Sequence, residues 1–273
     1  MSVTVAGSAG GTAADTSAQT TDYSVVVDGV TKIYRGRGPA VHALDNVTLK
    51  VRPGEFVSIV GASGCGKSTL LNLVAELDKP TAGTVTSVSR PALMFQEPAL
   101  LPWQTVGQNI ALALKYAGVP RAARSARVEE LLAVVRLDGT AKRRPHELSG
   151  GQRQRVAMAR ALAQESQVLL MDEPFAALDA ITRDVLHDEL TRIWTSTGLT
   201  VVFVTHNVRE AVRLGQRVVL LSSRPGRVVR EWSVDITGPR TIEHPLVGDL
   251  ASDITVSLRE EIARHATDQP AGV

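Results

Sequence analysis

Gly61-Ala-Ser-Gly-Cys-Gly-Lys-Ser-Thr69 decides the reading of this chain. The stretch fits G-x-x-x-x-G-K-[ST], in which backbone N–H groups of a glycine-rich loop cradle phosphates, the lysine reaches the β- and γ-phosphates, and the next hydroxyl reaches Mg²⁺. Its flanks are the required ones. Glu55 to Val60 reads as a strand and Lys67 to Ala75 as a helix, so the loop opens a helix whose N-terminal dipole adds to the amide nest. Lys67 is therefore expected on the phosphates and Ser68 on Mg²⁺, with Gly61, Ala62, Ser63, Gly64, Cys65, Gly66 and Thr69 completing the cradle. Cys65 needs only its backbone N–H for that. The loop amides and Lys67 are able to lower its thiol pKa toward redox sensitivity, but a small filler turned away from phosphate is the favoured expectation.

A second glycine-rich segment, Leu148-Ser-Gly-Gly-Gln152, lies about 80 residues on and is followed by Leu169-Leu-Met-Asp-Glu-Pro174. Ser149 to Gln152 reads as an S-x-x-Q capping box. As a cap alone it is badly chosen. Gly150 and Gly151 in a first helical turn cost up to about 1 kcal/mol each relative to alanine, which points to close approach of backbone to a ligand. Val168 to Met171 is a short apolar run suited to a buried parallel strand, and it delivers Asp172 and Glu173 to the strand's carboxyl end, where α/β sheets bind ligands. A second such run, Thr200 to Val204, ends at Thr205-His206, and His206 alone among the six histidines stands at such a place.

Charge excludes several classes of partner. Net charge is +2 and the longest basic run, Lys142-Arg143-Arg144, is short, so no electrostatic footprint for nucleic acid or anionic lipid is present. No apolar stretch approaches a membrane-spanning helix, and the N-terminus lacks the basic start and apolar centre of a secretory signal. The single cysteine rules out an intrachain disulfide. Ala, Gly, Ser and Thr dominate residues 1–22, which are expected to form a disordered tail. Short β-rich runs follow (Ser24 to Val27, Val41 to Val51), then a helical pattern between Gln96 and Pro145, then alternating strand and helix signals of a wound α/β sheet. One further helix is expected over Ile254 to His265.

The chain resembles the ATP-hydrolysing subunit of an ATP-binding-cassette (ABC) transporter from about Val25 to Arg230. It carries the family's motifs in order: an aromatic at Tyr34, the phosphate loop, Gln96, the signature Leu148 to Gln152, Asp172-Glu173, Ala177-Leu-Asp179, and His206. The resemblance implies an α/β fold, with a P-loop NTPase core sheet, an N-terminal antiparallel β subdomain and an inserted α-helical subdomain. The cassette would span 23–256, its helical subdomain about 97–160, with 257–273 as a C-terminal tail. It also implies roles. Tyr34 would stack on adenine, although it serves equally as a packed aromatic; Asp172 would hold Mg²⁺ with Ser68; Gln96 would sense Mg²⁺ and the attacking water. Glu173 would be the general base, with Lys67 and His206 on the γ-phosphate and Gln96 completing the catalytic set at the attacking water. Ser149, Gly150, Gly151 and Gln152 would close over ATP bound to a second copy of the chain, with Asp179 at the seam.

The partners so implied are that second copy, integral membrane permease subunits, and indirectly a solute-binding protein, with the chain peripheral on the cytoplasmic face of the membrane. Phe95-Gln-Glu-Pro-Ala-Leu-Leu-Pro-Trp103 helps form the permease groove in this family, and with Ser222-Ser-Arg-Pro-Gly-Arg227 it resembles the importer branch for nitrate, sulfonates and taurine. Gln104 departs from that branch, which usually has an apolar residue there. Exporter ATPases share the catalytic set. Non-transport ABC proteins normally add a coiled-coil insertion or a second cassette, which this sequence lacks.

Overall fold

The computed structural model describes residues 22–268 apart from 37, 238 and 239; the expected N-terminal tail lies almost wholly outside the described residues. Two sheets form its frame. A three-stranded antiparallel sheet has β1 (Val25–Tyr34) between β2 (Val41–Val51) and β4 (Ala82–Ser87). A six-stranded sheet runs β5 (Ala92–Met94), β6 (Val168–Asp172), β7 (Thr200–Val204), β3 (Phe56–Val60), β8 (Arg217–Leu221) and β9 (Val228–Ser233). All its neighbours are parallel except β8 and β9.

The central strands are almost unbroken apolar runs, as strands covered on both faces must be. Every residue of β3 and β7 is buried. On one face α1 (Lys67–Val74) inserts Leu70, Leu71, Leu73 and Val74 between the two sheets, against Val27, Val47 and Val202. The other face carries α4 (Gly150–Leu162) and α5 (Ala180–Thr197). Helices α2 (Val106–Tyr116) and α3 (Arg121–Val134) fill the interval between β5 and β6, and Ile110, Leu114, Leu131 and Leu132 join them to the same core. A third cluster lies under α6 (Val208–Leu214) and α7 (Pro245–Asp268), where Val247, Ala251 and Ile254 pack on Trp232 and Val212.

Three strands have weak sequence signals. β4 is largely exposed, β5 has three residues, and β9 is an antiparallel edge strand with one buried side chain, Trp232. Helix α7 starts at Pro245, well before the expected Ile254, and continues through the 256/257 boundary. Proline supplies its first turn, where no N–H partner is needed, and the apolar residues at 247, 251 and 254 recur on one helical face.

A buried polar network ties α5 and α6 to the end of β7. His187 is fully buried, and its Nδ1 receives a hydrogen bond from the Arg213 guanidinium at 3.3 Å. Arginine only donates, so the imidazole proton sits on Nε2 and is donated to Glu210 Oε1 at 2.6 Å. The Thr205 hydroxyl donates to the other Glu210 oxygen while accepting from Asn207 N–H at 3.0 Å. Arg213 also pairs with Asp184 at 2.6 Å and Asp188 at 2.8 Å. Glu210→Ala would leave the His187 Nε2–H and the Thr205 hydroxyl proton without acceptors in the interior. The expected cost is about 1–3 kcal/mol, read as a fall of several degrees in the thermal midpoint. An unchanged midpoint would contradict this account of the network.

Candidate functional site

The loop after β3 wraps into α1 through Gly66, whose φ of +107° is open to glycine, and an added Cβ there would lie 2.7 Å from the Ala43 carbonyl oxygen. Neither a side-chain cap nor an acidic residue occupies the first turn of α1. Its N-terminal amides are therefore available to an anion. Lys67 is buried and folds back, donating to the carbonyls of Gly61 at 2.9 Å and Ala62 at 3.0 Å.

Asp172 and Glu173 stand at the carboxyl end of β6, beside the end of β7 that carries Thr205 and His206. Glu173 adopts φ +44°, a left-handed conformation that costs energy for a non-glycine residue, and its N–H donates to the Val204 carbonyl at 2.9 Å. One carboxylate oxygen accepts from His206 Nδ1 at 2.8 Å; the other lies 4.0 Å from Lys67 Nζ. Burial pushes the Asp172 carboxyl above its ordinary range, opposed by a hydrogen bond from Ser68. That carboxyl–hydroxyl pair, with the Gln96 amide exposed nearby on the cleft wall, is an oxygen-rich donor set of the kind that suits a hard divalent cation.

Lys67, Ser68, Gln96 and Glu173 border one cleft of about 380 Å³, lined also by Tyr34, Val41, Ala43, Ser63, Gly64, Gly66, Thr69 and Arg224, whereas Asp172 and His206 do not line it. Tyr34 is partly exposed at the end of β1, with the Lys32 ammonium 4.8 Å from its ring centre. Ser149, Gly150, Gly151, Gln152 and Asp179 do not line this cleft. Ser149 caps α4 with the reciprocal bonds of a capping box, at 3.2 Å to Gln152 N–H and 3.0 Å back from Ser149 N–H to Gln152. Asp179 caps α5 by accepting from Thr182 N–H at 2.9 Å, which holds its carboxyl below the usual range.

The two signature glycines separate here. An added Cβ on Gly151 would lie 2.5 Å from Thr182 Cγ2, so the chain's own packing already favours glycine there. At Gly150 the nearest atom would be 3.7 Å away, ordinary contact, and no internal packing demands glycine.

Sequence reasoning gave no role to Arg224, Gln154 or Arg160. Gln154 donates to the Gln96 carbonyl at 2.9 Å, and Arg160 donates to the carbonyls of Pro98 and Ala99, each at 2.7 Å, so α4 holds the segment that starts at Gln96. A larger groove of about 690 Å³ lies beside that segment, lined by Leu77, Leu93, Phe95, Leu112, Tyr116 and Arg160 among others. Trp103 stands outside the groove, 68% exposed.

Comparison with known proteins gives a consistent set of relatives. The ABC transporter family model matches residues 44–176. The taurine import ATP-binding protein of Rhizobium johnstonii is 45% identical, over 85% of this chain and 92% of its own length. The bicarbonate transport ATP-binding protein of a Synechocystis strain is 45% identical over 87% of this chain, which spans 38% of that longer protein. Among solved structures, a dimeric ATP-binding cassette in a post-hydrolysis state, bound to ADP and Pi, superposes with a TM-score of 0.69 at 36% identity, covering 78% of this chain and all of that one.

The environment of Cys65 differs from the redox reading. Its side chain is 1% exposed within the core, and burial raises the thiol pKa more than Lys67 lowers it. The thiolate is thus scarce at neutral pH, and the approach is closed. A maleimide probe should label the native chain at least about tenfold more slowly than the chain unfolded in guanidinium, and bound ATP should change little. Rapid native labelling blocked by ATP would overturn this.

Proposed function

The chain belongs to the ABC transporter family, and from that premise we propose that it is the ATPase subunit of an importer, hydrolysing ATP to drive uptake of a small anionic or zwitterionic solute across the membrane. The carrying observation is the Glu173 carboxylate, held between His206 Nδ1 and the Lys67 ammonium at the mouth of a phosphate loop. Lys67 sits on loop carbonyls as it would on phosphate oxygens. An arriving triphosphate competes for that ammonium and removes the cation nearest to Glu173, leaving a carboxylate free to accept a proton.

Hydrolysis then follows as an in-line displacement. Water attacks the γ-phosphorus, its proton passes to Glu173, the bond to the β–γ bridging oxygen breaks, and ADP carries the leaving charge. Amides of the loop and the α1 N-terminus stabilise the phosphate charge, and His206 orients Glu173 and faces the γ-phosphate. Ser68, Asp172 and Gln96 are the residues that would hold Mg²⁺, which neutralises charge on the β- and γ-phosphates when bound. Tyr34 at the cleft mouth offers its ring to adenine.

Two further surfaces support a transport role. The signature Ser149 to Gln152 and Asp179 present helix starts that do not serve the chain's own cleft, which supports their use against nucleotide on a second copy; the solved relative is itself a dimer. The apolar groove is of a size to take a short helix from a permease, and Tyr116, 81% exposed, leaves it incompletely covered. No helix among the described residues is long and apolar enough to cross a membrane, so membrane attachment on the cytoplasmic face would come from that docking. Relatives named for taurine import and bicarbonate transport support an importer, with the solute chosen by the permease and a binding protein.

Glu173→Gln keeps the shape but cannot take the proton. ATP turnover should fall by roughly 10²-fold or more while ATP still binds, and sedimentation should show a dimer with ATP and a monomer with ADP. Turnover near the wild-type rate would remove Glu173 from the role of base.

Leu77→Glu and Tyr116→Glu, both at exposed groove positions, should lower co-purification with the permease by about tenfold or more while leaving the thermal midpoint within a degree or two. Undiminished co-purification would place the docking surface elsewhere.

A further inference from the structure

The turn between β8 and β9, Ser222-Ser-Arg-Pro-Gly-Arg227, is built onto the phosphate loop. Gly226 N–H donates to the Ala43 carbonyl at 2.9 Å and its own carbonyl accepts from Asp45 N–H at 3.0 Å. The Ser222 hydroxyl closes the turn, donating to Pro225 O at 2.8 Å and accepting from Arg227 N–H at 2.9 Å, while the Arg227 guanidinium pairs with Asp45. An added Cβ on Gly226 would lie 2.2 Å from the Cys65 carbonyl oxygen, so the turn rests directly on the loop backbone.

This scaffold sets Arg224 on the cleft wall. Its Nε and Nη2 both donate to the Gly64 carbonyl, at 3.2 and 3.1 Å. Among the described residues no carboxylate lies within ion-pair distance of it, and its remaining N–H groups make no hydrogen bond. An exposed, unneutralised guanidinium is thus pinned beside a loop that already concentrates the Lys67 ammonium and a helix N-terminus. Like charges gathered this way repel each other until an anion arrives.

We propose that Arg224 is a nucleotide-binding residue, reaching the polyphosphate of the bound nucleotide from outside the phosphate loop. The proposal rests on the reading of the cleft as the ATP site. The Gly64 carbonyl fixes the guanidinium plane, and the donors left over match phosphate oxygens with charge-assisted hydrogen bonds. The turn therefore acts as a second wall of the phosphate site, and its glycine and serine are what let it sit close enough to do so.

The test is calorimetric binding to the full chain of Mg-free ATP and of inorganic tripolyphosphate, for wild type, Arg224→Ala, Arg224→Lys and Lys67→Ala. Arg224→Ala should raise Kd for both ligands about tenfold, and Arg224→Lys should recover part of the loss, because a point charge remains without the planar fork. Raising salt from 50 to 200 mM should weaken wild-type binding more than binding by Arg224→Ala. Wild-type Kd values in Arg224→Ala, alongside weakened binding in Lys67→Ala, would overturn the proposal and keep the ATP site. A loss for ATP but not tripolyphosphate would also overturn it, moving the contact to the nucleoside. Unaltered binding in Lys67→Ala would instead dismiss the site itself.

Discussion

A parallel sheet brings the carboxyl ends of its strands to one edge, and the candidate site depends on that constraint. The phosphate loop leaves β3, Asp172 and Glu173 leave β6, and Thr205-His206 leaves β7, three neighbouring strands in the order β6-β7-β3. Residues separated by more than a hundred positions in sequence are therefore side by side. Their spacing is fixed by the parallel register of Ile59 with Val204 and of Asp172 with Val204. The core below is rigid because β3 and β7 expose nothing, and the chemistry above inherits that rigidity.

Within this frame the charges are arranged to be displaced. Lys67 occupies two loop carbonyls, and its ammonium lies 4.0 Å from Glu173. The Glu173 backbone is held in a left-handed conformation by its N–H bond to Val204 and by the turn that follows. Strain of that kind persists where the surrounding structure over-determines it, as here at the junction of two buried strands. Behind His206 the network of Thr205, Glu210, His187 and Arg213 locks the end of β7 to α5, the helix capped by Asp179.

Much of this was legible from residue types alone. The phosphate loop announces itself because its glycines and lysine follow from backbone and charge requirements, and the two strands that carry the candidate site because apolar runs end abruptly in carboxylates or histidine. The fold class and the family reading follow from those. What stayed hidden depends on contacts across the sequence. Nothing local distinguishes Gly151, which clears Thr182, from Gly150, which clears nothing. Arg224 belongs to a turn whose relation to Gly64 appears only once β8 is placed beside β3. β4, β5 and β9 are short or mostly exposed, so their periodicity is too weak to read, and α7 begins where a proline masks its first turn. Cys65 was readable as a filler by size, whereas the sign of its pKa shift required its burial.

The segment from Gln96 to Leu101 links the parts that local motifs leave separate. Its first side chain lines the candidate cleft, and its first carbonyl accepts from Gln154 in the signature helix. The carbonyls of Pro98 and Ala99 are held by Arg160, nearly two turns further along that helix, and Leu101 N–H donates to the Asn109 side chain at 2.8 Å, in α2. Phe95, Arg160 and Asn109 also line the apolar groove. The groove, the Gln96 side chain and the signature helix are thus joined by hydrogen bonds to backbone, which shift only as a body or break at a cost of about 1 kcal/mol or more each. On the proposed reading, a partner helix seated in the groove and a nucleotide in the cleft would act on one connected element, and each would alter the free energy of the other's binding through it. That element would then be the chain's mechanical route from the phosphate loop to the proposed permease.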